Sequence, residues 1–180
     1  MEFELPSVEE LLGSWTLITG EVNTGKTDML SRIMAAFAQG EHGRMALMDM
    51  APELTRGVGG KLALPQGVHL KVCAPSIVAP RLTGKTPEEV QALARQNAAN
   101  LATALEGYLA VPAEVLFIND VSLYLQAGDP AKLYEAMEAT PTVVINGYLG
   151  TSLGGGEMGE LERRRMEELA ARCARVYRLA

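Results

Sequence analysis

Hydrophobic residues in this chain form short runs, separated by stretches in which apolar residues recur at helical spacing. The runs lie within residues 15–19, 44–49, 69–73, 115–120, 141–146 and 176–179. Apolar runs of about four to eight residues are typical of strands buried on both faces. Spacings of three and four between the runs predict amphipathic helices. About six strands alternating with helices predict an α/β fold with a mostly parallel sheet, because each strand–helix–strand unit makes a right-handed crossover.

Several helices carry recognisable start signals. Ser7 and Glu10 form a capping-box pattern, and Thr86-Pro87-Glu88-Glu89 places threonine before a proline at the first helical position. The long helix that follows has Asn97 on its apolar stripe, so this amide needs a polar partner. The last helix is predicted over residues 157–172, where nearby glutamates are spaced to form ion pairs with Arg163-Arg164-Arg165.

The first run leads directly into a glycine-containing loop with the pattern G-x-x-x-x-G-K-T. Glycines let such a loop turn tightly and approach a ligand, and its N–H groups then form a nest for anions at a helix N-terminus. Lys26 is expected to reach the β- and γ-phosphates, and the Thr27 hydroxyl is expected to bind Mg²⁺. The predicted nucleotide-binding residues are Gly20, Glu21, Val22, Asn23, Thr24, Gly25, Lys26 and Thr27.

This loop resembles the Walker A motif of the P-loop NTPase superfamily, and Val115-Leu116-Phe117-Ile118-Asn119-Asp120 resembles its Walker B strand. The resemblance implies a three-layer fold and a bound ATP or GTP with Mg²⁺. Two alignments of the second motif remain open. Either Asp120 is the Mg²⁺ acid, or Asn119 takes that position and Asp120 replaces the catalytic glutamate. In the second case, Asn119→Asp should strengthen Mg²⁺ binding.

Two further polar residues end predicted strands. Asn146 matches, by order and type, an asparagine that senses the γ-phosphate in the ATPase branch of this superfamily, or else it is a turn residue. Asp49 and the nearby Glu53 follow the second run, and ligands of parallel sheets bind beyond the carboxyl ends of strands. Asp49 is therefore a candidate for holding Mg²⁺-bound water or substrate. The alternative is a strand-end acid in a solvated turn.

Three loops are candidates for contacts with phosphate or a second substrate. The glycine-rich loop at 54–67 carries two cations, Arg56 and Lys61, and the long connection at 74–85 carries Arg81. A third glycine-rich stretch at 147–157 starts where the nucleotide or second substrate is expected, which favours a mobile lid or a specificity loop. The alternative is a plain solvent loop.

Composition limits the partners and the location. A chain of 180 residues is expected to form one domain, 1–180. Its net charge of −6 argues against nucleic acid or an anionic membrane as a main partner. The start Met1-Glu2-Phe3-Glu4 is acidic where a signal peptide would be cationic, and no apolar run is long enough to span a bilayer. The two cysteines lack metal-ligand spacing. We therefore expect a cytoplasmic protein.

These patterns favour Mg²⁺-dependent binding and hydrolysis of a nucleoside triphosphate, with ATP expected, by an ATPase or nucleotide-driven switch. Lys26, Asp120 and Asn146 are its predicted catalytic residues, and Thr27, Asp120 and Asp49 its predicted metal ligands. The alternatives are a small-molecule phosphoryl or nucleotidyl transferase, which could be kinase-like or like the corrinoid adenosyltransferases, and a binding module with little hydrolysis. Each of these functions is compatible with a second small-molecule substrate, a protein partner or a homo-oligomer. The sequence has no N-K-x-D motif, which disfavours a signalling GTPase.

Overall fold

A single parallel sheet organises the computed structural model, which describes residues 4–57 and 59–180. Its strands are β1 (Trp15–Gly20), β2 (Met45–Asp49), β3 (Lys71–Cys73), β4 (Val115–Asn119), β5 (Thr142–Tyr148) and β6 (Arg175–Leu179). Their order is β3-β2-β4-β5-β1-β6, and every neighbouring pair is parallel. Met1 to Phe3, part of the acidic start, and Val58 of the 54–67 loop lie outside the described residues.

Helices cover both faces of this sheet. They are α1 (Val8–Leu11), α2 (Lys26–Ala38), α3 (Pro80–Thr83), α4 (Pro87–Ala110), α5 (Ser122–Leu125), α6 (Pro130–Glu138) and α7 (Gly156–Arg172). Buried residues of α1 and α2 share one hydrophobic cluster with the sheet, and those of α4 to α7 share another. The predicted three-layer α/β fold with a parallel sheet is therefore confirmed.

Alternating side chains of each central strand enter the two clusters. In β1, Leu17 packs with the α4–α7 layer and Ile18 with the α2 layer; in β4, Leu116 and Phe117 divide in the same way. All four side chains are fully buried. This arrangement explains why the strands read as continuous apolar runs, since neither face of the sheet meets solvent.

The predicted helix caps are formed. At the start of α1, the Ser7 hydroxyl accepts a hydrogen bond from the Glu10 N–H, and the Glu10 carboxylate accepts one from the Ser7 N–H. At the start of α4, the Thr86 hydroxyl accepts a hydrogen bond from the Glu89 N–H. Asn97 of α4 is buried, and its side chain bonds both the N–H and the carbonyl of Val78 at 3.1 and 2.9 Å. The polar residue on the apolar stripe thus has the partner that its burial requires.

Two segments predicted as plain connections contain one-turn helices. Residues 74–85 include α3, which starts at Pro80, and the connection after β4 includes α5, whose four residues are all buried. The strand β5 also continues two residues past Asn146. Both helices pack against other elements, α3 against α4 and α5 against α4 and α7, and the local sequence pattern does not show this packing.

The ion pairs predicted along α7 are wrong. Arg163 instead donates to the carbonyl of Gly150 at 2.8 Å, and Arg165 donates to the carbonyl of Leu125 at 2.9 Å. Within the described residues, the salt bridges are Arg44–Glu114, Arg81–Glu162 and Lys132–Glu106. Tertiary acceptors therefore take these arginines away from their helical neighbours. Among residues 4–57 and 59–180, no helix is long and apolar enough to cross a membrane.

Candidate nucleotide site

A cavity of about 790 Å³ opens at the carboxyl edge of the sheet. The loops after β1, β2 and β4 contribute to its wall, together with α3 and α7, which contact each other through Arg81 and Glu162. Strand order explains this position, because β5 lies between β1 and β4 in a parallel sheet and the carboxyl ends of the three strands meet at one edge. The volume lies in the range that holds a small organic ligand.

The loop predicted to bind phosphate forms one wall of the cavity, from Val22 to Asp28. Gly25 is the N-cap of α2 and has φ 87°, a left-handed conformation that a side chain at this position would strain. The carbonyl of Glu21 accepts hydrogen bonds from the Thr24 hydroxyl and from the Lys26 ammonium. Burial lowers the pKa of Lys26. The loop therefore keeps a partly desolvated cation at the N-terminus of a helix, which favours an anion.

The Glu21 side chain ties this loop to the glycine-rich segment after β5. Its two carboxylate oxygens accept hydrogen bonds from the N–H and hydroxyl groups of both Thr151 and Ser152, at 2.5 to 3.3 Å. The Ser152 hydroxyl, followed by the Thr151 N–H, lowers the pKa of Glu21 to about 2. The segment that the sequence favoured as a lid or solvent loop is thus fastened to the phosphate loop.

Asp120 follows β4 in the left-handed region, with φ 58°. Its N–H donates to the Asn146 side-chain oxygen at 2.6 Å, and its carboxylate accepts from the Ser122 hydroxyl at 2.8 Å. Burial raises the pKa of Asp120 to about 6, although Ser122 and Lys26 both oppose the shift. The cavity wall thus contains a carboxylate whose negative charge is poorly compensated by its protein neighbours.

Asn146 is 2% exposed and lines the same cavity. Its side-chain oxygen is used by Asp120, and its side-chain nitrogen has no hydrogen-bond partner among the described residues. A buried donor left without an acceptor costs about 1–3 kcal/mol, so this nitrogen is suited to a ligand oxygen. Because Asn146 lies within β5, the alternative of a turn residue is wrong.

Asn119 and Asp49, at the ends of neighbouring strands, bind each other. The Asn119 amide nitrogen donates to the Asp49 carboxylate at 2.9 Å, and the N–H groups of Ala51 and Leu62 donate to it at 3.1 and 2.7 Å. Asp49 is 1% exposed and does not line the cavity. Its contacts therefore do not support the predicted role of a metal ligand, and Asp49 instead braces the loop after β2.

The donor set can accommodate Mg²⁺. Asp120 supplies a desolvated carboxylate and Thr27 an exposed hydroxyl, and both residues line the cavity. Among the described residues, no group of three or more histidine, cysteine, aspartate or glutamate side chains could hold a metal ion. A carboxylate together with a hydroxyl suits Mg²⁺, which is usually held by one or two carboxylates together with substrate phosphates and water.

The opposite wall contains a buried ion pair that sequence analysis missed in part. Arg81 of α3 contacts the carboxylate of Glu162 in α7 at 3.2 Å, and the Glu162 side chain is 3% exposed. Burial raises the pKa of Glu162, while Arg81 and Gln126 lower it. Glu162 lies four residues before the buried Met166, and this helical spacing was the sequence signal that Glu162 is on the buried face of α7. Arg81 was proposed from its loop, but its partner was not.

Of the other predicted cavity residues, Glu53 and Lys61 line the wall formed by the loop after β2, and Arg56 does not. The full phosphate loop from Val22 to Thr27 lines the cavity, whereas Gly20 and Glu21 support it from the end of β1. The structure thus brings Lys26, Thr27, Asp120 and Asn146 together around one space.

Comparisons with known proteins give only distant likenesses. No family model matches the sequence, and no curated protein matches it. One similar structure is a prototypical ATPase from the type III secretion system of pathogenic bacteria, with 14% identity and a TM-score of 0.49; the match covers 94% of this chain and 52% of that chain. The chain thus spans about half the length of that ATPase chain.

A second similar structure is the flagellar accessory protein FlaH from Methanocaldococcus jannaschii. It has 12% identity and a TM-score of 0.48, and the match covers 91% of this chain and 75% of that chain. At these identities and TM-scores, neither likeness assigns an activity to this chain. The site residues must therefore carry the functional argument.

Proposed function

We propose that this chain belongs to the P-loop NTPases and binds and hydrolyses a magnesium-bound nucleoside triphosphate, with ATP as the expected substrate. The observation that carries the proposal is the convergence of Lys26, Asp120 and the unpaired Asn146 amide on one cavity. A phosphate-binding loop alone would support only nucleotide binding. A partly desolvated carboxylate and an unpaired donor facing the same space add groups that hydrolysis requires.

In the proposed reaction, a water oxygen forms a bond to the γ-phosphorus as the bond from that phosphorus to the β,γ-bridging oxygen breaks. The electron pair of the broken bond stays on the diphosphate, and the proton of the water passes to a phosphate oxygen. The bound Mg²⁺ supplies charge neutralisation for the phosphates. Thr27 and Asp120 would hold it, directly or through water.

Three groups of the chain would act on the substrate. The loop N–H groups and Lys26 would bind the phosphates, and Lys26 would exchange its contact with the Glu21 carbonyl for one with a phosphate oxygen. The Asn146 nitrogen would donate to the γ-phosphate or to the attacking water. Catalysis of this kind depends on positioning and on charge neutralisation, not on a covalent intermediate.

Calorimetric titration of the purified chain with MgATP and MgGTP, followed by measurement of phosphate release on the same samples, tests the proposal. The wild type should bind one of them and release phosphate, and Lys26→Ala should lose the binding while keeping its fold by circular dichroism. Lys71→Ala is the matched control, since Lys71 is exposed on β3 and far along the sheet from β1. Unchanged nucleotide affinity in Lys26→Ala would contradict the proposal.

Transfer to a small-molecule acceptor is the second candidate. It is favoured by the extent of the cavity, which continues past the phosphate loop to Arg81 and Glu162. These groups lie on α3 and α7 and have no part in holding the phosphates in the scheme above. Tight binding of MgATP without phosphate release would favour this second function over hydrolysis.

A further inference from the structure

A second lysine, outside the phosphate loop, lines the cavity. The Lys61 ammonium donates to the carbonyl of Asp49 at 3.1 Å and to the carbonyl of Pro75 at 2.8 Å. An ammonium has three donors, so these two acceptors leave one hydrogen available for a ligand. Lys61 is thus held in place at the end of β2 with spare hydrogen-bonding capacity.

The local backbone brings this lysine to the cavity. The Gly60 N–H donates to the carbonyl of Pro52 at 3.0 Å. At Gly59, φ is 74°, and a Cβ would come within 2.8 Å of the Pro52 ring. A larger residue would therefore push the loop away from Pro52. Glycine at position 59 allows the close packing that leads the chain directly into Lys61.

Lys61 also differs electrostatically from the other cation on that side of the cavity. Within residues 4–57 and 59–180, Arg81 forms a salt bridge with Glu162, whereas Lys61 forms none and has only carbonyl partners. Burial lowers the pKa of Lys61, while the charges of Asp49, Glu53 and Asp120 raise it. Its positive charge is therefore available to a phosphate.

The strand order places the two lysines on either side of Asp120. Lys61 is bonded to the last residue of β2, Lys26 follows β1, and β4 with its following Asp120 lies between those two strands. The charge of Asp120 acts on both ammonium groups. A phosphoryl group held near Asp120 would therefore meet one lysine from each side.

We propose that Lys61 donates a hydrogen bond and positive charge to the γ-phosphoryl group as it leaves the diphosphate, from the side opposite Lys26. This inference rests on the proposed function and adds a catalytic residue to it. Lys61 keeps its proton throughout the hydrolysis described above. Its contribution belongs to the transition state, in which negative charge is spread over the three equatorial oxygens and builds up on the bridging oxygen as its bond breaks.

The test compares binding of MgADP alone with binding of MgADP plus aluminium fluoride, which mimics the transferring phosphoryl group. Calorimetry on the full chain should show that aluminium fluoride tightens MgADP binding by the wild type. Lys61→Gln should bind MgADP alone as the wild type does and lose about 100-fold of the added tightening. Lys61→Arg should retain most of it, and Lys71→Gln, which removes an exposed lysine, should retain all of it.

Full retention of the tightening in Lys61→Gln would overturn the inference and leave the proposed function intact. A wild type that binds MgADP without any effect of aluminium fluoride would overturn it in the same way. A wild type that fails to bind MgADP would overturn the proposed function and this inference with it. Thermal unfolding of each variant separates a loss of fold from a loss of the contact.

Discussion

Asp120→Asn should make the nucleotide-free protein more stable. Asp120 is half-buried, and its pKa is raised from 3.8 to about 6, mainly by desolvation of its carboxylate. Asparagine has the same shape, accepts the left-handed backbone at φ 58°, and can still accept the hydrogen bond from Ser122. The substitution therefore removes the buried charge with little change in packing.

The sign follows from the order in which the two states ionise. As pH rises, the unfolded chain loses this proton near 3.8 and the folded chain only near 6, so ionisation favours the unfolded state. At pH 8, a shift of about two units corresponds to a penalty of about 3 kcal/mol. At pH 5, the folded group is still mostly protonated, and the penalty is about 1.5 kcal/mol. Asparagine, which does not ionise, avoids both.

Urea unfolding of the apo protein, followed by circular dichroism at pH 5 and pH 8, measures this difference. We expect Asp120→Asn to raise the free energy of unfolding by about 3 kcal/mol at pH 8 and by about half as much at pH 5. The control is Asp28→Asn, an exposed carboxylate in the first turn of α2, with an expected change below about 0.5 kcal/mol. A variant that is less stable than the wild type at pH 8 would refute the reasoning.

Two other substitutions test the contacts around the site. Asn119→Asp would replace the donor to Asp49 with a second buried carboxylate, so we expect a loss of about 3 kcal/mol in urea unfolding at pH 8; an unchanged midpoint would contradict this arrangement. Glu21→Gln would replace the carboxylate that binds Thr151 and Ser152 with an amide that has one acceptor oxygen. The backbone amides around Ser152 should then exchange hydrogen faster, as measured by mass spectrometry, whereas Glu160→Gln should have no effect. Equal exchange in the two variants would show that the Glu21 carboxylate does not hold the segment.

Local features of the fold could be predicted from the sequence. The run at 15–19, the loop ending in Lys26 and Thr27, and the five buried apolar residues of α2 all depend on residues close together in the chain. The strand β1 and the helix α2 are confirmed. The strands could be recognised because burial on both faces makes them continuously apolar. The roles of single polar residues were less accessible, since a strand-end carboxylate or amide has the same local pattern whether it faces a cavity or a neighbouring strand.

Asn119 and Asp120 illustrate that difference. From sequence, either residue could occupy the Mg²⁺ position, and Asn119→Asp was expected to strengthen Mg²⁺ binding in one alignment. The structure pairs Asn119 with Asp49, because β2 and β4 are neighbours and these two residues are in register. The same substitution would therefore place two carboxylates against each other, and it tests their repulsion. Strand pairing across 70 positions is not encoded in the local pattern of either segment.

The sequence by itself therefore determined the element types and the phosphate loop, because periodicity, capping and glycine placement act over a few residues. Only the tertiary structure decided that β5 lies between β1 and β4, which brings Asn146 to the Asp120 N–H and both to the loop with Lys26. It also decided that Lys61 is tied to the end of β2. Such pairings follow from the packing of the whole sheet, in which residues far apart in the chain compete for the same buried partners.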